Sequence, residues 1–297
     1  MLRLAMTTDA ETFDRVREPL AARDVAVEHV RAKERSLRVS GSDTETEGDG
    51  EFDGFDVGFV YPSRLMEGAV VDARLSVPWV NGREAVLASR NKAGVLAALD
   101  DAGLPTPRTT LVSNPVSEAT VTEAVSSLSY PVVVKPNSAT RGVGVATAGD
   151  LDSLLGVVDY LNLVHDYRAT GDKSYLIQEF LPDARDYRAM VVDGAYAGAV
   201  RRELPPEARE RGRWKHNVHR GAEATGVDLP DRARELAERA AEVLDIDYLG
   251  VDLLETDDRL VVNETNARPT VDAATKYEPD FYDRLAGLIE RTAAAGR

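Results

Sequence analysis

The chain has 297 residues, 43% of them hydrophobic, and a formal charge of −15 at pH 7, which allows a large core divided over two or three compact units. It contains no cysteine, so disulfides, thiolate metal sites and cysteine nucleophiles are excluded, and its acidity opposes binding along a phosphate backbone, so no nucleic-acid partner is expected. No apolar run reaches the roughly 18 residues of a membrane span, and MLRLAMTTDAE turns acidic where a signal peptide would stay apolar, so no membrane association and a cytoplasmic location are expected.

LRLAM (2–6), VAVEHV (25–30) and DVGFVY (56–61) read as short buried strands, with an amphipathic helix from Glu11 to Arg23 after the first. This is a βαβ beginning. Between its second and third strands lies GSDTETEGDGEFDG (41–54), acidic, Gly-punctuated and without apolar period, which reads as a solvated loop. After VPWVNG (77–82), REAVLASRNKAGVLAALDDAG carries a helical period that stops at Gly103, Pro105 and Pro107, and a new unit is expected to start there. Next come a strand (Thr109 to Val112), a helix (Ser117 to Ser126), the strand PVVVK, a Gly-containing loop, a helix from Asp150 to about Leu163 and the strand YLIQEFL (175–181). RAMVVDGAYAGAVRR predicts a hairpin turning at Asp193 and Gly194. A helix from Asp231 to Leu244, a second hairpin in LGVDLLETDDRLVVNET and a closing helix from Asp280 to Ala294 complete an α+β order with antiparallel pairs.

Four stretches can carry chemistry. Asp252 ends the run GVD, and Glu264 and Asn266 sit two apart in the paired strand, so alternation aims their oxygens at one face. Such a cluster suits Mg²⁺, and reads equally well as the polar rim of a hairpin. PVVVKPNSATRGVGV puts Lys135 at a strand end before a loop in which Ser138, Thr140, Gly142 and Gly144 can offer donors to an anion; a hairpin turn with a solvated lysine is the competing reading. YLIQEFLPDARDYR sets Gln178 and Glu179 in an apolar strand ahead of Asp186 and Arg188, either an edge that reads an adenine or a strand with one wet face. VRRE (200–203) and RGRWKHNVHRGA (211–222) concentrate positive charge suited to a polyanion. His216 and His219 lack a third nitrogen or sulfur ligand nearby, which is poor support for zinc. Only six of the 36 basic residues are lysines, a bias that reads as salt adaptation of the kind found in halophiles, or as a preference for Arg codons.

In order, NK (91–92), VVVKPNSATRGVGV, LIQEFL, DYRAMVVDG, RRE, KHNVHRGA, GVDLLE and NETNA resemble the ATP-grasp enzymes, specifically the RimK-type glutamate ligases, over about 81 to 272. The resemblance implies an ATP-grasp fold over 82–297, with a lid at about 108–180 and a metal-binding part at about 181–297, preceded by a Rossmann-like pre-grasp domain over 1–81. It implies that Lys92, Lys135 and the 138–144 loop hold ATP phosphates, that Gln178, Glu179, Phe180 and Leu181 border the adenine, and that Asp186 takes the ribose. Lys215, His216 and Asn217 would line the nucleotide site. Asp252, Glu264 and Asn266 would bind two Mg²⁺, or Mn²⁺ in their stead, and Arg188, Arg202 and Arg220 would flank the transferring phosphoryl group or a substrate carboxylate. Three of the six lysines fall on these positions.

The implied reaction is amide or peptide bond formation from a carboxylate and an amine through an acyl phosphate. It would add glutamate or a similar amino acid to a coenzyme tail, a carrier protein or a small amine, with a homo-oligomer left open. Dipeptide or amino-sugar ligation and a silent ATP-binding regulatory module are the alternatives. The chain departs from the family at NARPTVD, where many members continue with a small residue, Pro and Gly. Arg268 there either holds a substrate carboxylate or pairs with Asp272.

Overall fold

The computed structural model describes residues 1–8, 11–40, 49–140, 142–165, 172–216, 218, 221–273 and 276–296. Asn217, His219 and Arg220, most of the acidic loop and part of LNLVHDYRATGDK lie outside the described residues. The chain begins with a parallel sheet in the order β2-β1-β3-β4, formed by β1 (Leu2–Met6), β2 (Val25–His29), β3 (Val57–Phe59) and β4 (Trp79–Val80). The helices α1 (Glu11–Ala21) and α2 (Leu65–Leu75) complete its crossovers; α2 was not anticipated from the sequence.

The helical run after β4 is two helices, α3 (Arg83–Arg90) and α4 (Lys92–Asp101), not one continuous helix. Asn91 breaks it: its side chain accepts from the Gly94 amide at 3.1 Å, capping α4 and making Lys92 the first helical residue. Apolar spacing runs through the break, which is why periodicity alone missed it.

A second, antiparallel sheet in the order β5-β8-β6-β7 comprises β5 (Thr109–Ser113), β6 (Val132–Pro136), β7 (Ala146–Ala148) and β8 (Ser174–Glu179). It carries α5 (Glu118–Val125) and α6 (Leu151–His165) on one face around its own apolar cluster. The third sheet, β11-β10-β9-β12-β13, is built from β9 (Arg185–Val192), β10 (Ala195–Glu203), β11 (Glu223–Val227), β12 (Tyr248–Glu255) and β13 (Leu260–Asn266), with the short α7 (Pro206–Glu210) after β10. Asp193 and Gly194, both at positive φ (57° and 73°), make the expected tight turn between β9 and β10.

The amphipathic α8 (Asp231–Leu244) buries Ala233, Leu236, Ala237, Ala240 and Ala241, and α9 (Phe281–Ala295) buries Phe281, Leu285 and Ile289. Both belong to one core shared by the first and third sheets. With one face of the third sheet packed on this core, its other face is left to confront the second sheet.

Candidate active site

A cleft of about 470 Å³ lies between the second and third sheets, lined by Val133, Lys135 and Gln178 on one side and by Asp186, Arg202, Asp252 and Glu264 on the other. Lys135 is only 4% exposed. Its Nζ donates to Gln178 Oε1 at 3.0 Å and to Asn263 Oδ1 at 3.4 Å, so it spans the two sheets. Burial, opposed by the nearby Glu264, lowers its pKa to about 8.

Lys92 is buried at the start of α4 and donates to the carbonyl of Ala139 while standing 3.5 Å from Glu264 Oε1. Together with Asn137, whose amide bonds Asn91 at 3.0 Å, it fastens the root of the loop between β6 and β7. Gly144 in that loop has φ +74°, and a Cβ there would meet Pro136 at 2.7 Å, so the tight return requires glycine.

Across the third sheet, register creates an ionic network. Arg188 on β9 pairs with Asp252 on β12, which pairs with Glu264 on β13, while Arg202 on β10 faces Asp186 on β9. Arg188 forks onto Asp252 at 2.7 and 2.8 Å. Arg202, 7% exposed, donates from Nε to Asp186 at 2.7 Å and stands 3.1 Å from Asp252. Burial opposes ionisation of Asp252, yet Arg188 and Arg202 hold its carboxyl below the ordinary range; burial, reinforced by Asp252, keeps Asp186 above it. The two carboxylates and two guanidiniums neutralise one another.

A bulge in β13 fills out this face. Pairing shifts between Asp252 with Glu264 and Leu253 with Val262, leaving Asn263 as the extra residue. Val262 thereby stays in the core while the consecutive Asn263 and Glu264 both line the cleft. The linker after β8 forms the far wall, where Phe180 meets Trp214 edge to face at 5.8 Å. Glu179 at its root accepts from the Arg108 amide (2.8 Å), Arg108 Nε (3.1 Å) and Arg259 (2.8 Å). Burial disfavours the Glu179 anion, but these bonds outweigh it and hold its pKa down.

Of the residues singled out in the sequence, Lys135, Gly142, Gln178, Glu179, Phe180, Leu181, Asp186, Arg202, Lys215, His216, Asp252 and Glu264 line this one cleft. Lys92 and Arg188 reach it through their bonds to Glu264 and Asp252. Ser138, Thr140, Gly144 and Asn266 are not part of its lining, and the Asn266 Nδ2 is buried without a partner among the described residues. Asn217 and Arg220 lie outside the described residues. The suggested pairing of Arg268 with Asp272 does not form: Asp272 takes Lys276 at 3.0 Å and Arg15 at 3.8 Å. Trp214 and Asn263 were missed. Trp214 had a signal, as one of two tryptophans and inside the basic run; Asn263 had none, because simple alternation turns it away from Glu264.

The model of the RimK-like ATP-grasp domain matches residues 89–281. The chain is 29% identical over 220 residues to a probable alpha-L-glutamate ligase of Enterobacter sp., covering 73% of this chain and 69% of that one. It is 30% identical over 217 residues to the protein of the same description in Citrobacter koseri, covering 72% and 68%. Among solved structures, D-cycloserine synthetase DcsG superposes with a TM-score of 0.72 at 19% identity over 98% of this chain and 99% of that one. The RimK domain protein of Sphaerobacter thermophilus superposes at 0.65 with 24% identity over 98% and 99%. At these identities the structural likeness is one of fold. With its family model spanning the helix that carries Lys92, the second sheet and the third, the chain belongs to the RimK-like ATP-grasp family and is an ATP-dependent carbon–nitrogen ligase.

Proposed function

We propose that the chain joins a carboxylate to an amine by phosphorylating the carboxylate with ATP and letting the amine displace phosphate, adding glutamate or a similar amino acid to its acceptor. The observation that carries this reading is the charge arrangement in one cleft: Lys135 on the lid side faces Asp252 and Glu264, with Arg188 and Arg202 beside them. Transfer of a phosphoryl group needs charge neutralisation and alignment more than a protein nucleophile, and these residues supply both. In this reading residues 1–81 are the pre-grasp domain, 108–180 the lid, and 181–297 the part that carries the acidic ligands. Lys135 and Lys92 neutralise ATP phosphates, and the base lies along Phe180, Leu181 and Trp214. Arg188 and Arg202 steady the transferring group.

Asp252, Glu264 and Asn266 offer two carboxylates and an amide oxygen, a donor set suited to Mg²⁺. Bound there, Mg²⁺ would offset phosphate charge. Asp252, held by Arg188 and Arg202, and Glu264, beside Lys92, would be the carboxylates that hold the ion, and the same cations stand ready for anionic substrate.

The test is a hydroxylamine trap at high KCl, since the acidic composition is read as salt adaptation. With Mg²⁺, ATP and a panel of amino acids, hydroxamate and ADP are expected with one acid and not the others; ADP release without hydroxamate from any acid would remove the acyl phosphate. A second expectation concerns Lys135. Its depressed pKa means that its charge is lost as pH rises through about 8, and bound phosphates restore it. ATP affinity should therefore fall between pH 8 and about 10 while binding takes up protons. Calorimetry in buffers of different ionisation enthalpy reads this, and proton uptake that persists in Lys135→Met would show that another group is responsible.

A further inference from the structure

In a chain with 51 acidic residues, two part-buried arginines next to the cleft have no acid to pair with among the described residues. Arg90, the last residue of α3, donates from Nη2 to the carbonyl of Ser63 at 2.8 Å. Arg268 donates from Nη1 to the carbonyls of Val60, at 3.2 Å, and Tyr61. Among the described residues neither forms an ion pair. Both guanidiniums donate into the same short stretch of backbone, the carbonyls of Val60, Tyr61 and Ser63, which brings the two charges together. Part-buried charges are ordinarily neutralised, so two like charges kept close together need a reason.

A purely structural tether explains part of the arrangement, because Arg268 ties the exit of β13 to the end of β3. It uses only Nη1 of Arg268 and Nη2 of Arg90. The remaining donors have no partner among the described residues, yet none is sealed from solvent, so two guanidinium edges remain open to a ligand.

The location is also specific. Ser89 Oγ donates to the Thr265 carbonyl at 3.0 Å and accepts from the Ala267 amide at 2.9 Å. Arg90 and Arg268 are the next residues after the two stitched positions, and Lys92 beyond them reaches Glu264. Their carbonyl partners lie just past the C-terminal end of β3, the edge of a parallel sheet where open α/β folds bind ligands. Val60 there has φ +59° although it is β-branched and only 5% exposed, a conformation such residues rarely keep without a local demand.

We propose that Arg90 and Arg268 form a carboxylate site that holds the substrate carboxylate left unreacted, so that the enzyme selects an amino acid bearing two carboxylates. The inference rests on the ligase reading of the neighbouring cleft. Forked, charge-assisted bonds give such a site its discrimination, and an amide in place of the carboxylate both lacks charge and presents donors to donors.

The test titrates L-glutamate, L-aspartate and their two mono-amides each into the protein loaded with Mg²⁺ and ADP, by calorimetry, for wild type, Arg268→Met, Arg268→Lys and Arg90→Met. Wild type should bind one of the dicarboxylates at least about tenfold tighter than one of its amides. Each Met variant should lose that preference while keeping ADP affinity, and Arg268→Lys should restore it in part. Equal preference in wild type and the Met variants, or no dicarboxylate binding in a protein that binds ADP, overturns the carboxylate site alone. Failure to bind ADP at all overturns the ligase reading of the cleft. Should Arg268→Met not fold, as judged by circular dichroism, Arg90→Met carries the test, since its side chain holds only the Ser63 carbonyl.

Discussion

Glu264→Ala is expected to lower turnover by on the order of 10³-fold or more while leaving the fold in place. Glu264 stands opposite Asp252 in the sheet, lines the cleft and, among the described residues, forms an ion pair only with Lys92, at 3.5 Å. It fills no core volume, and its side chain is 28% exposed. The loss to stability is therefore that of one partly exposed pair, which is small, and the melting temperature should move by no more than about 4 °C. Initial rates of ADP release together with a circular dichroism melt measure both. Activity within a few fold of wild type would take Glu264 out of phosphoryl transfer; a collapsed melting transition would instead make it structural.

Arg202→Met is expected to be the most damaging single change to stability, costing about 3–5 kcal/mol. Arg202 sits between two carboxylates, bonded to Asp186 at 2.7 Å and standing 3.1 Å from Asp252. Without it Asp252 keeps the fork of Arg188, but Asp186 becomes a buried anion without this partner. The pH dependence follows from the same geometry. In wild type Asp252 titrates below its ordinary value, so its contribution is present above the unfolded pKa and lost as pH falls through the folded one. In the variant Asp252 is still held down by Arg188, but Asp186 is left to burial, which raises it further, so the folded state takes up a proton there before the unfolded state does. The deficit relative to wild type should shrink between pH 7 and about 4.5, read from urea unfolding at both. A deficit below about 1 kcal/mol at pH 7, or one independent of pH, contradicts the buried-cluster account.

The order of elements was legible because strand alternation and helix period are strong in this chain. The strands Leu2–Met6 and Thr109–Ser113, the helix Asp231–Leu244 and both hairpins of the third sheet lie within a residue or two of where pattern alone puts them. What pattern could not show was any feature in which one polar side chain overrides a continuous period. Asn91 interrupts an unbroken apolar spacing by capping α4, and the short α7 and the strands β7 and β11 have too few apolar residues to announce themselves.

Site residues separate in the same way. Lys135, Asp252 and Glu264 were visible as polar groups in apolar strands. Their partners were not, because Arg188 with Asp252 and Arg202 with Asp186 depend on cross-strand register, which a sequence specifies only once the strands are aligned. Arg268 illustrates the cost of proximity reasoning: Asp272 is four residues away in the chain, yet its partners are Lys276 and Arg15, while Arg268 turns to a loop some two hundred residues earlier in the chain.

The bulge in β13 separates what the sheet requires from what the cleft uses. On either side of Asn263 the pairs Asp252 with Glu264 and Leu253 with Val262 are already those of an uninterrupted ladder. Excising Asn263 would join those pairs without moving either neighbour to the opposite face, so the strand holds one residue that its own architecture does not need. That residue accepts from Lys135. The position can therefore be inserted, removed or exchanged as a unit, leaving substrate-side chemistry free to change in a protein whose fold does not.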